Sequence, residues 1–335
     1  GDRKMADLIP QKTESRQYFN DDLSFNWETM VFFSQCNINK NLSLNELLKL
    51  TSDIAVEDFA RRGMSRETLA KNGIAILVSR DSFRIHKFPK ENQRIVVRTW
   101  EEKSEALQFV RAVEIETLDG EKLVSGITAW LLVDLNNRRI LPIKKFDEMG
   151  LRTPTLRKME HDCLPYGKIQ IPEDAVLLDE RFIRYTDLDA NGHTNNSRYA
   201  AFAVDALPAE FQGIEFKDVR INFAKEAMLG QKVQVFGKID REAKKIILVG
   251  KTESGTSFEA ELEYRRRRSK KVFLFGMERC DAEVRKTRWG LDKPHGPKKI
   301  TDSNFKVNLA SMELFLLWIP CLCFLRDLKL CLPNS

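Results

Sequence analysis

The sequence predicts an α+β protein in which two similar units each combine one long helix with an antiparallel β-sheet. The strand-like stretch from Asn92 matches the one from Gly230, and the segment around Asn39 matches the one around Asn191. Each repeat contains one amphipathic helical stretch followed by several short strand-like stretches. This order is typical of a helix wrapped by a sheet.

The first repeat begins with a strand and a helix. Residues 25–33 have the mixed apolar pattern of a strand. Ser43 and Glu46 have the spacing of a capping box, and apolar residues follow at helical spacing as far as Phe59, with Gly63 as the stop. Further strands are predicted at 74–85, 94–99, 107–117 and 128–135.

The second repeat follows a stretch that is rich in Lys, Pro and Gly and has no sustained period. A strand is predicted to begin at 182–185, and a helix follows from about Tyr199 until Pro208 ends it. Strands are then predicted at 219–223, 232–239, 245–251 and 258–264. The predicted organisation is a flexible N-terminus (1–22), a first unit (23–143), a linker (144–174), a second unit (175–265) and a tail (266–335).

Charge and hydropathy exclude two classes of partner. The 335 residues include 55 Lys or Arg and 49 Asp or Glu, but 15 of the basic and 7 of the acidic residues lie beyond residue 265. The rest of the chain is close to neutral, so we predict no nucleic-acid binding. The apolar stretch at 314–325 is shorter than the ~20 residues of a membrane span. We interpret the tail as a non-native extension, and a surface-lying anchor is the alternative.

Cysteine usage predicts a reducing compartment. Only Cys36 and Cys163 lie before residue 266, which does not suggest a disulfide framework, and no pair has the usual zinc spacing. The N-terminus has no apolar signal core. We therefore expect a cytoplasmic protein without a metal or cofactor.

A polar loop at 187–199 contains the residues with the clearest chemical potential. It precedes a helix, whose free N–H groups and positive dipole end favour negative charge. Asp187 opens a pattern similar to a calcium loop, but Arg198 stands where that loop needs a Glu. A capped turn without chemistry is the remaining alternative.

The loop resembles the signature of the acyl-acyl-carrier-protein thioesterases in the pattern Asp189-x-Asn191-x-His193-x-Asn195-Asn196-x-x-Tyr199. Members also carry a Glu on a strand about 33 residues after the His, and Glu226 stands at that distance. The resemblance covers about residues 25–265 and implies two tandem hotdog domains of a bacterial-type member. The sequence departs from the family at Ala227, where many members have Cys.

This resemblance implies hydrolysis of the thioester of acyl-acyl carrier protein to a free fatty acid. It implies catalytic roles for Asp189, Asn191, His193 and Glu226, with Glu226 as the base that activates water. Backbone N–H groups near Asn196 and Ser197 are candidates to bind the carbonyl oxygen. An acyl-CoA thioesterase and a non-catalytic acyl-binding protein are the alternatives, and a homodimer is left open.

The first repeat lacks this ionisable set, since Asn41 stands opposite His193 and no acid stands opposite Glu226. The resemblance implies that this unit shapes the acyl pocket. Neither Cys36 nor Cys163 matches the family's Cys position, so water is the expected nucleophile, and a carboxylate is the less favoured alternative. An acidic carrier protein is expected to meet a basic cluster of Arg138, Arg139, Lys144 and Lys145.

Overall fold

The structure is a computed structural model that describes residues 15–148, 150 and 161–265. Its centre is one antiparallel sheet of 12 strands, with two long helices that pack against the sheet and contact each other. The predicted α+β class is confirmed. Within the described ranges, no helix is long and apolar enough to cross a membrane. The predicted tail, 266–335, lies outside the described residues.

The first half of the sheet contains the strands β1 (Arg16–Phe19), β2 (Phe25–Met30), β3 (Ile74–Ile85), β4 (Arg94–Ser104), β5 (Gln108–Thr117), β6 (Lys122–Asp134) and β7 (Ile140–Leu141). Its helices are α1 (Leu44–Arg61), α2 (Arg66–Lys71) and α3 (Ile143–Glu148). The second half contains β8 (Val176–Phe182), α4 (Asn196–Asp205), β9 (Glu215–Phe223), β10 (Lys232–Asp240), β11 (Lys245–Thr252) and β12 (Gly255–Arg265).

The strand order is symmetric about one junction. The strands follow the order β1-β2-β4-β5-β6-β3-β9-β12-β11-β10-β8, and β7 pairs with β6 off this path. The first strand after each long helix, β3 or β9, therefore lies at the centre, and the two pair antiparallel there. Phe83 stands opposite Val219, and both are fully buried. Arg84 donates to Asp218 across the junction at 2.7 Å, so the two halves form one continuous sheet.

The predicted repeat is confirmed by equivalent positions. Ser43 and Asn195 are the N-caps of α1 and α4 and lie 152 residues apart. Strands β4 and β10 begin at Arg94 and Lys232, an offset of 138. The difference arises because α1 is longer than α4 and is followed by the extra helix α2.

Four local features differ from the sequence-based expectations. The Ser43 hydroxyl donates to the Gln35 carbonyl at 3.0 Å and makes no cap bond, so the capping box is wrong. Strand β8 ends at Phe182 instead of beginning there, because this edge strand has no buried apolar face to reveal it. The expected flexible N-terminus includes β1, which pairs with β2. Helix α3 occupies the start of the expected linker.

The core consists of two clusters. The larger one joins α1, α4 and the strands around the β3–β9 junction. The smaller one lies where the C-terminal end of α1 meets α2 and α3 and contains Phe59, Phe109, Trp130 and Phe146. Because the larger cluster takes residues from both repeats, neither half of the sheet buries its apolar face alone.

Candidate active site

The polar loop before α4 is a tight turn closed by backbone bonds. Asp189 N–H donates to the His193 carbonyl at 2.8 Å, and Gly192 N–H donates to the Asp189 carbonyl at 3.0 Å. Gly192 has φ +78°, a conformation that favours glycine. The turn therefore holds the side chains of residues 189–193 close to the start of the helix.

Asp189 organises this turn through its carboxylate. It accepts from Asn191 N–H at 2.7 Å, from His193 N–H at 3.4 Å and from the Asn191 amide at 3.3 Å. The guanidinium of Arg66, at the start of α2, donates to Asn191 Oδ1. The Asn191 amide is thus held between the Asp189 carboxylate of its own loop and the Arg66 guanidinium from the first half of the sheet. Sequence reasoning missed Arg66, because nothing local marks a contact across 125 residues.

His193 and Glu226 meet beside the N-terminus of α4. His193 Nδ1 lies 3.2 Å from Glu226 Oε1, and both side chains are partly exposed. Glu226 follows β9 in a connecting loop, so its expected place on a strand is wrong. Arg138, from the turn between β6 and β7, contacts the other carboxylate oxygen at 3.4 Å. One member of the basic cluster is therefore part of this site.

Ala227 explains how Glu226 is brought to His193. The Ala227 carbonyl accepts from Thr194 N–H at 3.2 Å and from the Thr194 hydroxyl at 2.6 Å. Ala227 N–H donates to the Tyr199 hydroxyl at 3.0 Å. Ala227 itself is fully buried. Ala227 thus holds the loop that carries Glu226 against α4 through its backbone, and its side chain supplies no thiol.

The N-terminus of α4 is capped by a side chain, so one of its backbone N–H groups is already bonded. Asn195 Oδ1 accepts from Ser197 N–H at 2.9 Å and from the Ser197 hydroxyl at 2.7 Å. The Ser197 N–H is therefore already engaged, and the expectation that it binds a carbonyl oxygen is wrong. Asn196 N–H remains as the candidate donor at this end of the helix dipole.

Asp187 is engaged in structural contacts. Arg198 approaches its Oδ1 at 2.8 Å from Nε and 2.7 Å from Nη2, and Arg184 N–H donates to Oδ2 at 2.8 Å. A calcium ion would have to displace both partners. The arrangement favours a structural role for Asp187, which holds the loop to α4, over a role as a calcium ligand.

The two cysteines in the described residues are both free thiols with raised pKa values. Burial raises the pKa of Cys163 to about 11, with the Asp162 charge adding to it. Burial also raises the pKa of Cys36, which donates to the Phe32 carbonyl at 3.4 Å. Neither thiol is therefore activated as a thiolate near neutral pH.

A cleft that is open to solvent adjoins the start of α4. It is lined by α1, β3, β6 and the signature loop, including Asp53, Asp81, Trp130, Asp189 and Asn196. Asp81 is 6% exposed, and burial raises its pKa to about 8. The sequence contains a signal for this residue, because Asp81 is in phase with Phe83 and Ile85, the apolar face of β3.

Two family models match the chain. The model described as Acyl-ACP thioesterase N-terminal domain matches residues 22–148, and the one described as Acyl-ACP thioesterase C-terminal domain matches residues 173–271. Among curated relatives, an oleoyl-acyl carrier protein thioesterase of Coriandrum sativum is 21% identical over 62% of this chain and 60% of its own length. An acyl-[acyl-carrier-protein] hydrolase of Cuphea viscosissima is 18% identical over 62% of this chain and 53% of its own length. The chain thus spans between half and two thirds of these relatives.

Solved structures show the same fold. An acyl-ACP thioesterase from Bacteroides thetaiotaomicron superimposes with a TM-score of 0.65 at 18% identity, over 72% of this chain and 98% of that one. A 12:0-ACP thioesterase from Umbellularia californica superimposes with a TM-score of 0.63 at 15% identity, over 72% of this chain and 97% of that one. These likenesses confirm the two tandem hotdog units.

Proposed function

Because this chain belongs to the acyl-ACP thioesterase family, we propose that it hydrolyses the thioester of acyl-acyl carrier protein and releases a free fatty acid. The observation that carries the proposal is the 3.2 Å contact between His193 and Glu226 beside the start of α4. A base, an imidazole and a helix N-terminus are the groups that ester-type hydrolysis needs in one place. A protein that only binds acyl chains needs none of them.

In the proposed reaction, Glu226 takes a proton from a water molecule whose oxygen attacks the thioester carbonyl carbon. The carbonyl oxygen gains negative charge next to Asn196 N–H and the positive end of α4, which stabilise it. The C–S bond then breaks, and the proton passes to the leaving sulfur. His193 orients the Glu226 carboxylate, and the Asn191 amide, held by Asp189 and Arg66, positions the water or the carbonyl.

Water is the proposed nucleophile because no suitable thiol adjoins the base among the residues that the structure describes. Position 227 is Ala, and burial raises the pKa values of Cys36 and Cys163, which keeps both thiols protonated. A direct attack by Glu226 on the thioester is the alternative, and it would leave an acyl-enzyme anhydride that water must cleave. Trapping of that intermediate by hydroxylamine would distinguish the two routes.

The proposed acyl carrier is a protein rather than coenzyme A. Arg139, Lys144 and Lys145 are exposed, like Arg138, and follow it closely in the sequence, so together they form a basic segment. Acidic carrier proteins would be attracted to it, an effect that salt screens. We also propose a reducing, cytoplasmic location, on the basis of the two free cysteines.

The test is hydrolysis of carrier proteins bearing acyl chains of about C8 to C18, with released acid as the readout. Acyl-CoA and a neutral acyl-pantetheine serve as comparison substrates. Charge reversal of Arg139, Lys144 and Lys145 is expected to raise KM for the carrier protein and to leave acyl-pantetheine turnover unchanged. Acyl-CoA turnover that equals or exceeds that of the carrier protein, and that ignores the reversal, would contradict the carrier assignment. If no acid is released from any of these substrates, the proposal that the protein is a hydrolase is wrong.

A further inference from the structure

The cleft beside α4 contains one buried polar group that has no partner. Asp81 Oδ1 is shielded from solvent and makes no hydrogen bond within the described residues. Two hydroxyl groups in the cleft have other partners: the Thr51 hydroxyl donates to the Leu48 carbonyl at 3.1 Å, and the Thr128 hydroxyl accepts from Trp130 Nε1 at 2.8 Å. An unpaired buried oxygen costs about 1–3 kcal/mol, so its retention in a lined cleft points to a ligand.

A β-bulge directs Asp81 into the cleft. The register of β3 against β6 shifts between Val78 and Arg80, which leaves Ser79 as the extra residue. Residues three apart point to opposite faces of a regular strand, yet Val78 and Asp81 both line the cleft. The bulge therefore directs both the apolar Val78 and the acidic Asp81 into the cleft. Bulges that redirect side chains in this way are common next to active sites.

The cleft that Asp81 lines also extends to the start of α4. The same cleft is lined by Asn195, Asn196 and Ser197 at the start of α4, where the proposed reaction places the thioester carbonyl. We expect a substrate group that meets Asp81 to lie on the acyl chain close to the thioester, because one cleft joins the two positions. Lys49 and Asp53 of α1 also line the cleft, and Asp53 is exposed.

We propose that the site is selective for acyl groups with a hydroxyl or oxo oxygen near the thioester, and that Asp81 binds this oxygen. This inference rests on the proposed thioester hydrolysis and names its substrate class. Near neutral pH the carboxyl is largely protonated, because burial raises its pKa to about 8. A protonated carboxyl offers both a donor and an acceptor, and so it suits either kind of oxygen. A plain hydrocarbon chain would cover Asp81 and leave it unpaired.

The test compares carrier proteins that bear saturated, 3-hydroxy and 3-oxo acyl chains of equal length. The wild-type protein is expected to hydrolyse the oxygenated chains with about 10- to 100-fold higher kcat/KM, the range of one good hydrogen bond in a buried site. Asp81→Leu removes the partner, so this preference for oxygenated over saturated chains is expected to disappear. Asp81→Asn, which still donates and accepts, is expected to retain part of it. Glu57→Gln, on α1 but outside the cleft lining, is the matched control.

The outcomes separate this inference from the function on which it rests. A wild-type preference for saturated chains, or a preference for oxygenated chains that survives in Asp81→Leu, would overturn the role of Asp81 and leave the hydrolase intact. If the wild-type protein hydrolyses none of the substrates, both proposals fail. Thermal unfolding of each variant shows whether it is folded, and Asp81→Asn carries the test if Asp81→Leu is not.

Discussion

At the scale of single residues, the candidate site depends on how each side chain is held by its neighbours. Glu226 is oriented by His193 and Arg138, and Asn191 by Asp189 and Arg66. These partners come from both halves of the sheet. The roles of Glu226 and His193 are therefore best tested by substitutions that leave the backbone bonds of Ala227 and Thr194 untouched.

Glu226→Gln and His193→Ala are each expected to lower kcat by about 10²- to 10⁴-fold, the usual loss when a positioned acid–base group is removed. The matched control is the double variant Cys36→Ala/Cys163→Ala, which is expected to keep nearly the full rate. Released fatty acid is measured under single-turnover conditions. Loss of activity on alkylation of the two cysteines, in a protein that remains folded, would show that a thiol is the nucleophile.

Asp81 is expected to make stability depend on pH. Its pKa is about 8 in the folded protein and about 4 in the unfolded chain. Between these values the folded state binds the proton and the unfolded state does not, so the free energy of unfolding falls as pH rises through this window, by up to ~1.4 kcal/mol per pH unit. Below about pH 4 both states are protonated and the full stability is present.

Asp81→Asn is expected to abolish this slope, because an amide does not ionise. Urea unfolding of the wild-type protein and the variant at about pH 5 and pH 8 measures it. The variant should be more stable than the wild type at pH 8, by a larger margin than at pH 5. Parallel pH dependences of the two proteins would mean that Asp81 is ionised in the folded state.

At the scale of elements, helix α1 is tied to the sheet by a buried ion pair. Asp58 on α1 and Arg111 on β5 are both fully buried and contact each other, and Arg62 donates to the same carboxylate at 2.7 Å. The Arg111 guanidinium also lies 4.4 Å from the centre of the Phe59 ring. Removing Asp58 would leave the Arg111 charge without its carboxylate partner in the core.

Asp58→Asn is expected to destabilise the protein by about 3 kcal/mol or more, since it leaves the Arg111 charge uncompensated. Glu57→Gln is the control, because its pair with Arg61 on the same helix is largely exposed and is expected to contribute less than about 0.5 kcal/mol. Urea denaturation measures both. Equal, small effects would indicate that water reaches Arg111.

At the scale of the whole molecule, the two hotdog units share one sheet and one main core. The β3–β9 junction and the contact between α1 and α4 join them, so we expect both units to unfold in one transition. The second unit's last strand, β12, ends at Arg265.

A chain that ends at Arg268 is expected to keep its melting temperature, its single transition and its activity. We expect both hotdog units to be complete at that point, because the last strand of the repeat, β12, ends at Arg265, and the loss of an apolar stretch should improve solubility. Calorimetry and the acid-release assay on both chain lengths provide the comparison. If truncation divides the transition in two or lowers its temperature, the tail packs on the body.

The sequence by itself determined the α+β class, the repeat with its two offsets, the helix that follows the signature loop, and the spacing between His193 and Glu226. These are readable because helix period, strand alternation and turn residues are local properties of the chain. Tertiary structure alone decided that Arg66 holds Asn191 and that Arg138 reaches Glu226. It also decided that the bulge at Ser79 turns Asp81 into the cleft. These contacts depend on how distant strands pair and on which face each side chain then takes, and a shift of one residue in register reverses that face.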